Sequence, residues 1–108
     1  MNKVFTIKVE DLDLCDENIV LIDVREPAEY AEEYIESAIN IPLSVILNEI
    51  EKLNLTPDKK IVMQCRIGKR SMLACLKLQS EGYDLNLWNL EDGINAWKNA
   101  GYDTNSYL

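Results

Sequence analysis

A chain of 108 residues, 47% hydrophobic, 28% charged and with a net charge of -8, fits one domain over residues 1–108. A domain of that length buries about two thirds of the surface its unfolded form exposes. Its acidity argues against nucleic acid or an anionic membrane surface as a partner, because the mean field repels phosphate. No run approaches the roughly 18 apolar residues of a membrane span, and "MNKVFTIKVEDLDL" lacks the apolar region and small-residue cleavage site of a secretory signal. Three cysteines and no histidine suit neither a disulfide framework nor a zinc set. Free thiols in a reducing, cytoplasmic setting are the expectation.

Short β-branched runs alternate with longer amphipathic ones, the pattern of an α/β domain with a largely parallel sheet. "VFTI" (4–7) is the first predicted strand. "IVLIDV" (19–24) is a near-continuous apolar run, as a central strand covered on both faces requires. Pro27 opens a short helix through "AEYAEEY", where its missing N–H is harmless. "AINI" (38–41) is a third strand. Over 44–53 the spacing predicts a helix capped by Ser44, with Ile46, Ile50 and Leu53 on one face.

"TPDKK" is turn chemistry leading into the strand "IVMQ" (61–64). "SMLACLKL" (71–78) is apolar nearly all round and is predicted as a buried helix with no exposed apolar stripe, stopped near Gly82. "LNLW" (85–88) is the fifth strand. The last helix begins after Gly93 and ends at Gly101, with Trp88 and Trp97 assigned to the core. The polar tail "YDTNSYL" is expected to fray.

The chemistry concentrates at "CRIGKRS" (65–71). Cys65 ends a predicted parallel strand, and ligands of open α/β sheets bind at that edge. Of eleven basic residues, Arg66, Lys69 and Arg70 fall within this loop. Successive backbone N–H groups and the N-terminus of the following helix form a nest suited to an anion or a thiolate. Such settings lower a cysteine pKa from about 8.5 to roughly 3.5–7.5, and Gly68 lets the backbone wrap closely around the sulfur. The alternative is a buried, inert thiol ending a core strand. Cys75, among Met72, Leu76 and Leu78, and Cys15, in an acidic segment, are both assigned to that inert class.

In "CRIGKRS" the chain resembles the single-domain rhodaneses, whose active-site loop reads CxxGxRS. "LIDVREPAEY" (21–30), "AINIP" (38–42) and "NLEDGINAWKNAGY" (89–102) resemble further landmarks of that family, in the same order. The resemblance implies a five-stranded, mostly parallel central sheet flanked by helices on both faces. It also implies sulfurtransferase chemistry of the thiosulfate type. Cys65 would take a sulfane sulfur from a small anionic donor such as thiosulfate, or from a persulfide. It would hold the sulfur as a persulfide within the N–H groups of Arg66, Ile67, Gly68, Lys69, Arg70 and Ser71, then pass it to cyanide or a thiol.

Arg66, Lys69 and Arg70 would draw in the donor, and no metal or organic cofactor is implied. The acidic surface could dock a basic sulfur-acceptor protein. Asp23 and Arg25 match a family pair read as loop support. Glu26 and Glu29 are read as solvated helix-start residues.

Two departures from the family pattern stand out. Tyr34 replaces a histidine while Glu33 and Ser37 replace glycines, and Asp92-Gly93 replaces a Gly-Gly pair. Tyr30 and Tyr34, four residues apart, are expected to share a helix face against the sheet. Two other functions stay open: a binding or regulatory module that keeps the fold without turnover, and a phosphatase or arsenate-reductase-like enzyme. The resemblance gives those enzymes a loop one residue longer between cysteine and arginine, whereas four residues separate Cys65 from Arg70.

Overall fold

The computed structural model describes residues 3–108. Five strands, β1 (Val4–Ile7), β2 (Ile19–Asp23), β3 (Ile39–Asn40), β4 (Lys60–Gln64) and β5 (Asn86–Leu90), form one sheet in the order β1-β5-β4-β2-β3. Every neighbouring pair is parallel. Helices α1 (Pro27–Glu32) and α4 (Gly93–Asn99) lie on one face, and α2 (Ile46–Glu49) and α3 (Lys69–Ser80) on the other. No helix among the described residues is long and apolar enough to cross a membrane.

The two-period of β4 explains the layering. Ile61, Met63 and Cys65 join the core beneath α2 and α3, with Ile46, Ala74 and Leu78. Val62 points the other way, into the core with Leu90, Ile94 and Trp97. Because β4 sits between β5 and β2, both faces are covered, and Ile61, Val62 and Met63 are wholly inaccessible. Each such side chain contributes about 1.5–3 kcal/mol of burial, which is why the strand reads as unbroken apolar sequence.

Several local expectations change. The segment 44–53 is not one helix: a 3-10 turn over Leu43–Val45, the short α2 and a second 3-10 turn over Ile50–Leu53 follow one another. Ser44 is exposed and caps nothing, since the first turn is set by Pro42, whose carbonyl accepts from the Val45 N–H. Three β-branched residues, Val45, Ile46 and Ile50, make a weak helix. Burial of Ile46 and Ile50 against the sheet nonetheless holds it in place.

Helix α3 begins two residues before the predicted Ser71, so Lys69 and Arg70 lie in its first turn. Its outer face is less buried than expected, because Leu73 and Leu76 are each about half exposed. Trp97 is buried, whereas Trp88 is half-buried, stacked on Phe5 at 4.8 Å with the Lys60 ammonium 4.3 Å from its ring.

The C-terminal tail does not fray. The Trp97 indole donates to the Asp103 carbonyl, Tyr34 and Asn105 exchange both backbone hydrogen bonds, and the Tyr107 N–H donates to Ala31. Tyr34 lies beyond the end of α1 and stacks between Tyr30 at 4.7 Å and Tyr107 at 4.8 Å. The tyrosines that the spacing places on one helix face therefore bind the tail over α1, where apolar ring surface offsets the loss of chain entropy.

Of the residues that replace glycines of the family pattern, Glu33 and Ser37 differ in backbone. Glu33 is extended at φ -163, a region any residue adopts, whereas Ser37 sits at φ 72 in the left-handed region. A non-glycine residue there is disfavoured by about 1–2 kcal/mol. Ser37→Gly is therefore expected to raise stability by about 0.5–1 kcal/mol, after the greater unfolded-state freedom of glycine is subtracted. Glu33→Gly should lower it. Urea midpoints of the two variants test the contrast.

Candidate active site

Strand register brings the carboxyl ends of the central strands level. Asp23 pairs with Gln64, and Met63 with Asn89, so Cys65 emerges at the C-terminal edge between β2 and β5. The chain then turns through Gly68, at φ 96, into α3. A Cβ at Gly68 would meet the Asp92 nitrogen at 3.4 Å and the Leu90 carbonyl at 3.5 Å, ordinary contact distances, so it is the backbone angle that suits glycine there.

The turn closes on the sulfur. Cys65 is 1% exposed, and its Sγ accepts from the Gly68 N–H at 3.1 Å and the Ser71 N–H at 3.4 Å, with Ser71 Oγ 3.3 Å away. Burial pushes the thiol up. The hydrogen-bonding groups of the loop, those of Ser71 first and then the N–H groups of Gly68 and Ile67, outweigh it, and the pKa lies below the ordinary thiol value. The donors come from the loop and the first turn of a twelve-residue helix, whose dipole adds to them. At Cys75 burial outweighs a backbone hydrogen bond and pushes the thiol up to about 12, while Cys15 is an exposed free thiol.

The basic side chains are arranged less simply. Arg70 donates to both carboxylate oxygens of Glu29, at 2.6 and 3.0 Å, and Arg66 reaches the same carboxylate at 3.3 Å. Glu29 is thus no solvated helix-start residue. The Arg70 guanidinium beside it, against the opposing effect of burial, holds its carboxyl down at about 2. The same contact raises Arg70 above its usual value. Arg66 remains 59% exposed, and Lys69 is exposed.

Asp23 and Arg25 form a buried ion pair, 2.8 Å apart and 0% and 4% exposed. Arg25 also donates to the Glu33 carbonyl at 2.6 Å, and the Asn40 amide donates to the carbonyls of Asp23 and Arg25. Among the described residues these side chains make no hydrogen bond to residues 65–71. Their connection to the loop is the polar cleft of about 220 Å³ that Arg25 and Arg66 line together with Glu29, Asn95 and Lys98.

The second wall is the start of α4. Ile94 N–H donates to the Cys65 carbonyl at 2.9 Å and Asn95 N–H to the Arg66 carbonyl at 3.2 Å. The buried Gln64 amide donates to the same Cys65 carbonyl at 2.9 Å. This approach leaves no room at Gly93, where a Cβ would lie 2.3 Å from the Cys65 oxygen and 2.6 Å from the Arg66 oxygen. Asp92, in the other position of the pair, adopts φ 56. Aspartate tolerates that left-handed angle better than most residues, so the departure at 92 is accommodated where one at 93 is not.

Fold and loop together define an α/β protein that presents one activated cysteine at the carboxyl end of a central strand. The model of the rhodanese-like domain matches residues 10–100, and the chain belongs to that family. A protein named sulfurtransferase from Allochromatium vinosum is 39% identical over 85 residues, covering 79% of this chain and 77% of that protein. A putative sulfurtransferase from Bacillus subtilis is 41% identical over 83 residues, covering 77% of each. The crystal structure of a rhodanese-related protein from Thermoplasma volcanium superposes with a TM-score of 0.78 at 36% identity, covering 94% of this chain and 97% of that one.

Sequence reasoning missed Glu29, Gln64 and Asn89. Asn89 is buried, donates to the Gly68 carbonyl at 3.0 Å and accepts from the Ser71 hydroxyl. A polar residue interrupting an apolar strand pattern was available as a signal for both Gln64 and Asn89. Nothing local marked Glu29, whose partners are 37 and 41 residues away.

Gly93→Ala should destabilise the protein by at least about 2 kcal/mol, because two carbonyls must retreat from the new Cβ, while Asp92→Gly should be neutral or stabilising. Thermal unfolding measures both. Glu29→Gln should also lower the unfolding midpoint near neutral pH. The depressed Glu29 pKa makes this contribution complete above about pH 4.5 and lost as pH falls through about 2. The difference between wild type and variant should therefore vanish across that interval, and a constant difference would show that the ion pairs contribute nothing.

Proposed function

We propose that the protein is a sulfurtransferase in which Cys65 carries a sulfane sulfur as a persulfide. The observation that supports this best is the loop itself: a single buried sulfur receives N–H donors from Gly68 and Ser71 in a turn only four residues long between Cys65 and Arg70. The family's phosphatase and arsenate-reductase readings require the longer loop. The relatives named sulfurtransferase point to the same chemistry.

With thiosulfate, the Cys65 thiolate attacks the outer sulfur, the S–S bond of the donor breaks, and sulfite leaves with the electron pair. The product is Cys65–S–S⁻, its charge held by the loop N–H groups. Cyanide or an acceptor thiolate then attacks the outer sulfur, forming thiocyanate or a new persulfide and returning the Cys65 thiolate. Arg66 and Lys69, both exposed, are the groups placed to attract an anionic donor. Arg70 is engaged with Glu29 and serves the loop's shape instead. The acceptor class extends to a protein thiol, and the cytoplasm suits a catalyst that returns to the free thiol in each cycle.

Intact mass after incubation with thiosulfate should show one added sulfur, and cyanide should then remove it as thiocyanate. Cys65→Ser must fail both steps while remaining folded. A wild-type protein that takes up no sulfur from thiosulfate or from a low-molecular-weight persulfide would instead support the non-catalytic binding module.

A further inference from the structure

The Ser71 hydroxyl stands between two acceptors and owns one proton. Its oxygen lies 3.3 Å from Cys65 Sγ and 2.5 Å from Asn89 Oδ1. The amide of Asn89 is oriented by its Nδ2, which donates to the Gly68 carbonyl at 3.0 Å, so the oxygen faces Ser71 and can only accept. The hydroxyl proton therefore points to Asn89. A protonated Cys65 fits this arrangement by donating its S–H to Ser71 Oγ. A thiolate does not, because the sulfur then meets a lone pair unless the hydroxyl turns away from Asn89 and strands a buried amide oxygen.

We propose that Asn89 is a positioning residue that, by holding the Ser71 proton, withholds one hydrogen bond from the Cys65 thiolate. The persulfide escapes this penalty. In Cys65–S–S⁻ the charge resides on the outer sulfur, Sγ becomes a neutral disulfide-like atom, and the Ser71 proton stays with Asn89. Asn89 thus keeps the free thiolate more basic and more nucleophilic than the loop N–H groups alone would make it, and favours the loaded state. In that functional half it rests on the sulfur-transfer reading above.

Charged groups around the thiol are Arg66, Lys69 and Arg70 on the loop and α3, Asp92 ahead of α4, Glu29 on α1, Asp23 at the end of β2 and Arg25 beyond it. Changing only Asn89 or Ser71 leaves all of them in place. The test is the Cys65 thiol pKa, measured on sulfur-free protein by pH-dependent alkylation with iodoacetamide. A Cys15→Ser background removes the exposed second thiol.

Asn89→Ala should lower the pKa by roughly 0.5–1, as the freed hydroxyl turns to the sulfur. Ser71→Ala alone should leave it unchanged or lower it by less than about 0.5, because the hydroxyl lone pair favours the protonated thiol, and in the double variant the effect of Asn89→Ala should disappear. Because Ser71→Ala keeps Asn89 and its bond to Gly68, it tests the idea even if Asn89→Ala does not fold. A clear increase in Ser71→Ala, an unchanged or raised pKa in Asn89→Ala, or an effect of Asn89→Ala that persists in the double variant would each overturn the proposal.

Above the pKa, Asn89→Ala should also load sulfur from thiosulfate about two- to threefold more slowly, following the fall of nucleophilicity with basicity. If wild type does not load at all, the sulfur-transfer reading fails, whereas the pKa comparisons still decide the role of Asn89.

Discussion

The sulfur of a cysteine that is 1% exposed can ionise only with donors already in place around it. At Cys65 those donors are main-chain N–H groups, and main chain can be aimed only by fixing the segments on either side. β4 fixes one side, since it is buried on both faces and paired with β2 and β5. α3 fixes the other, starting at Gly68 so that the Ser71 N–H of its first turn faces the sulfur. The remaining architecture holds these two elements at the distance that one sulfur atom requires.

The carbonyl side of Cys65 shows the same dependence. Its oxygen accepts from Ile94 N–H and from the Gln64 amide, so α4 and β4 are tied together through Cys65 itself. Gly93 is where this becomes a packing constraint, because α4 can approach the loop only where no side chain intervenes. Glu29 then gathers Arg66 and Arg70 from outside, and the tyrosine-stacked tail holds down α1, which carries Glu29. Charge near the thiol is therefore largely balanced in place. The backbone stabilises the sulfur, while Lys69 and the outer part of Arg66 face solvent.

Much of this was legible before any coordinates. The unbroken apolar runs of β2 and β4, Pro27 at a helix start and the residue types of "CRIGKRS" each follow from local physical chemistry, and the five strands occur where periodicity places them. Local reasoning failed where distant contacts outweigh local propensity. The 44–53 segment looks like a helix by its apolar spacing, yet it breaks into short turns because Pro42 and three β-branched residues weaken it while the sheet fixes Ile46 and Ile50. The polar tail looks unstructured because the rings that bind it, Tyr30 and Tyr34, lie some seventy positions earlier.

The cysteine loop and the parallel sheet that presents it were already determined by the order of residues, since strand period, glycine position and the count from Cys65 to Arg70 are properties of neighbours along the chain. Which cations face solvent, which acid neutralises the others, and which side chain meets the Ser71 hydroxyl were decided only by the folded molecule. Each of those outcomes is a competition between groups far apart in sequence for the same hydrogen-bonding atom, and only packing determines which of them come within reach.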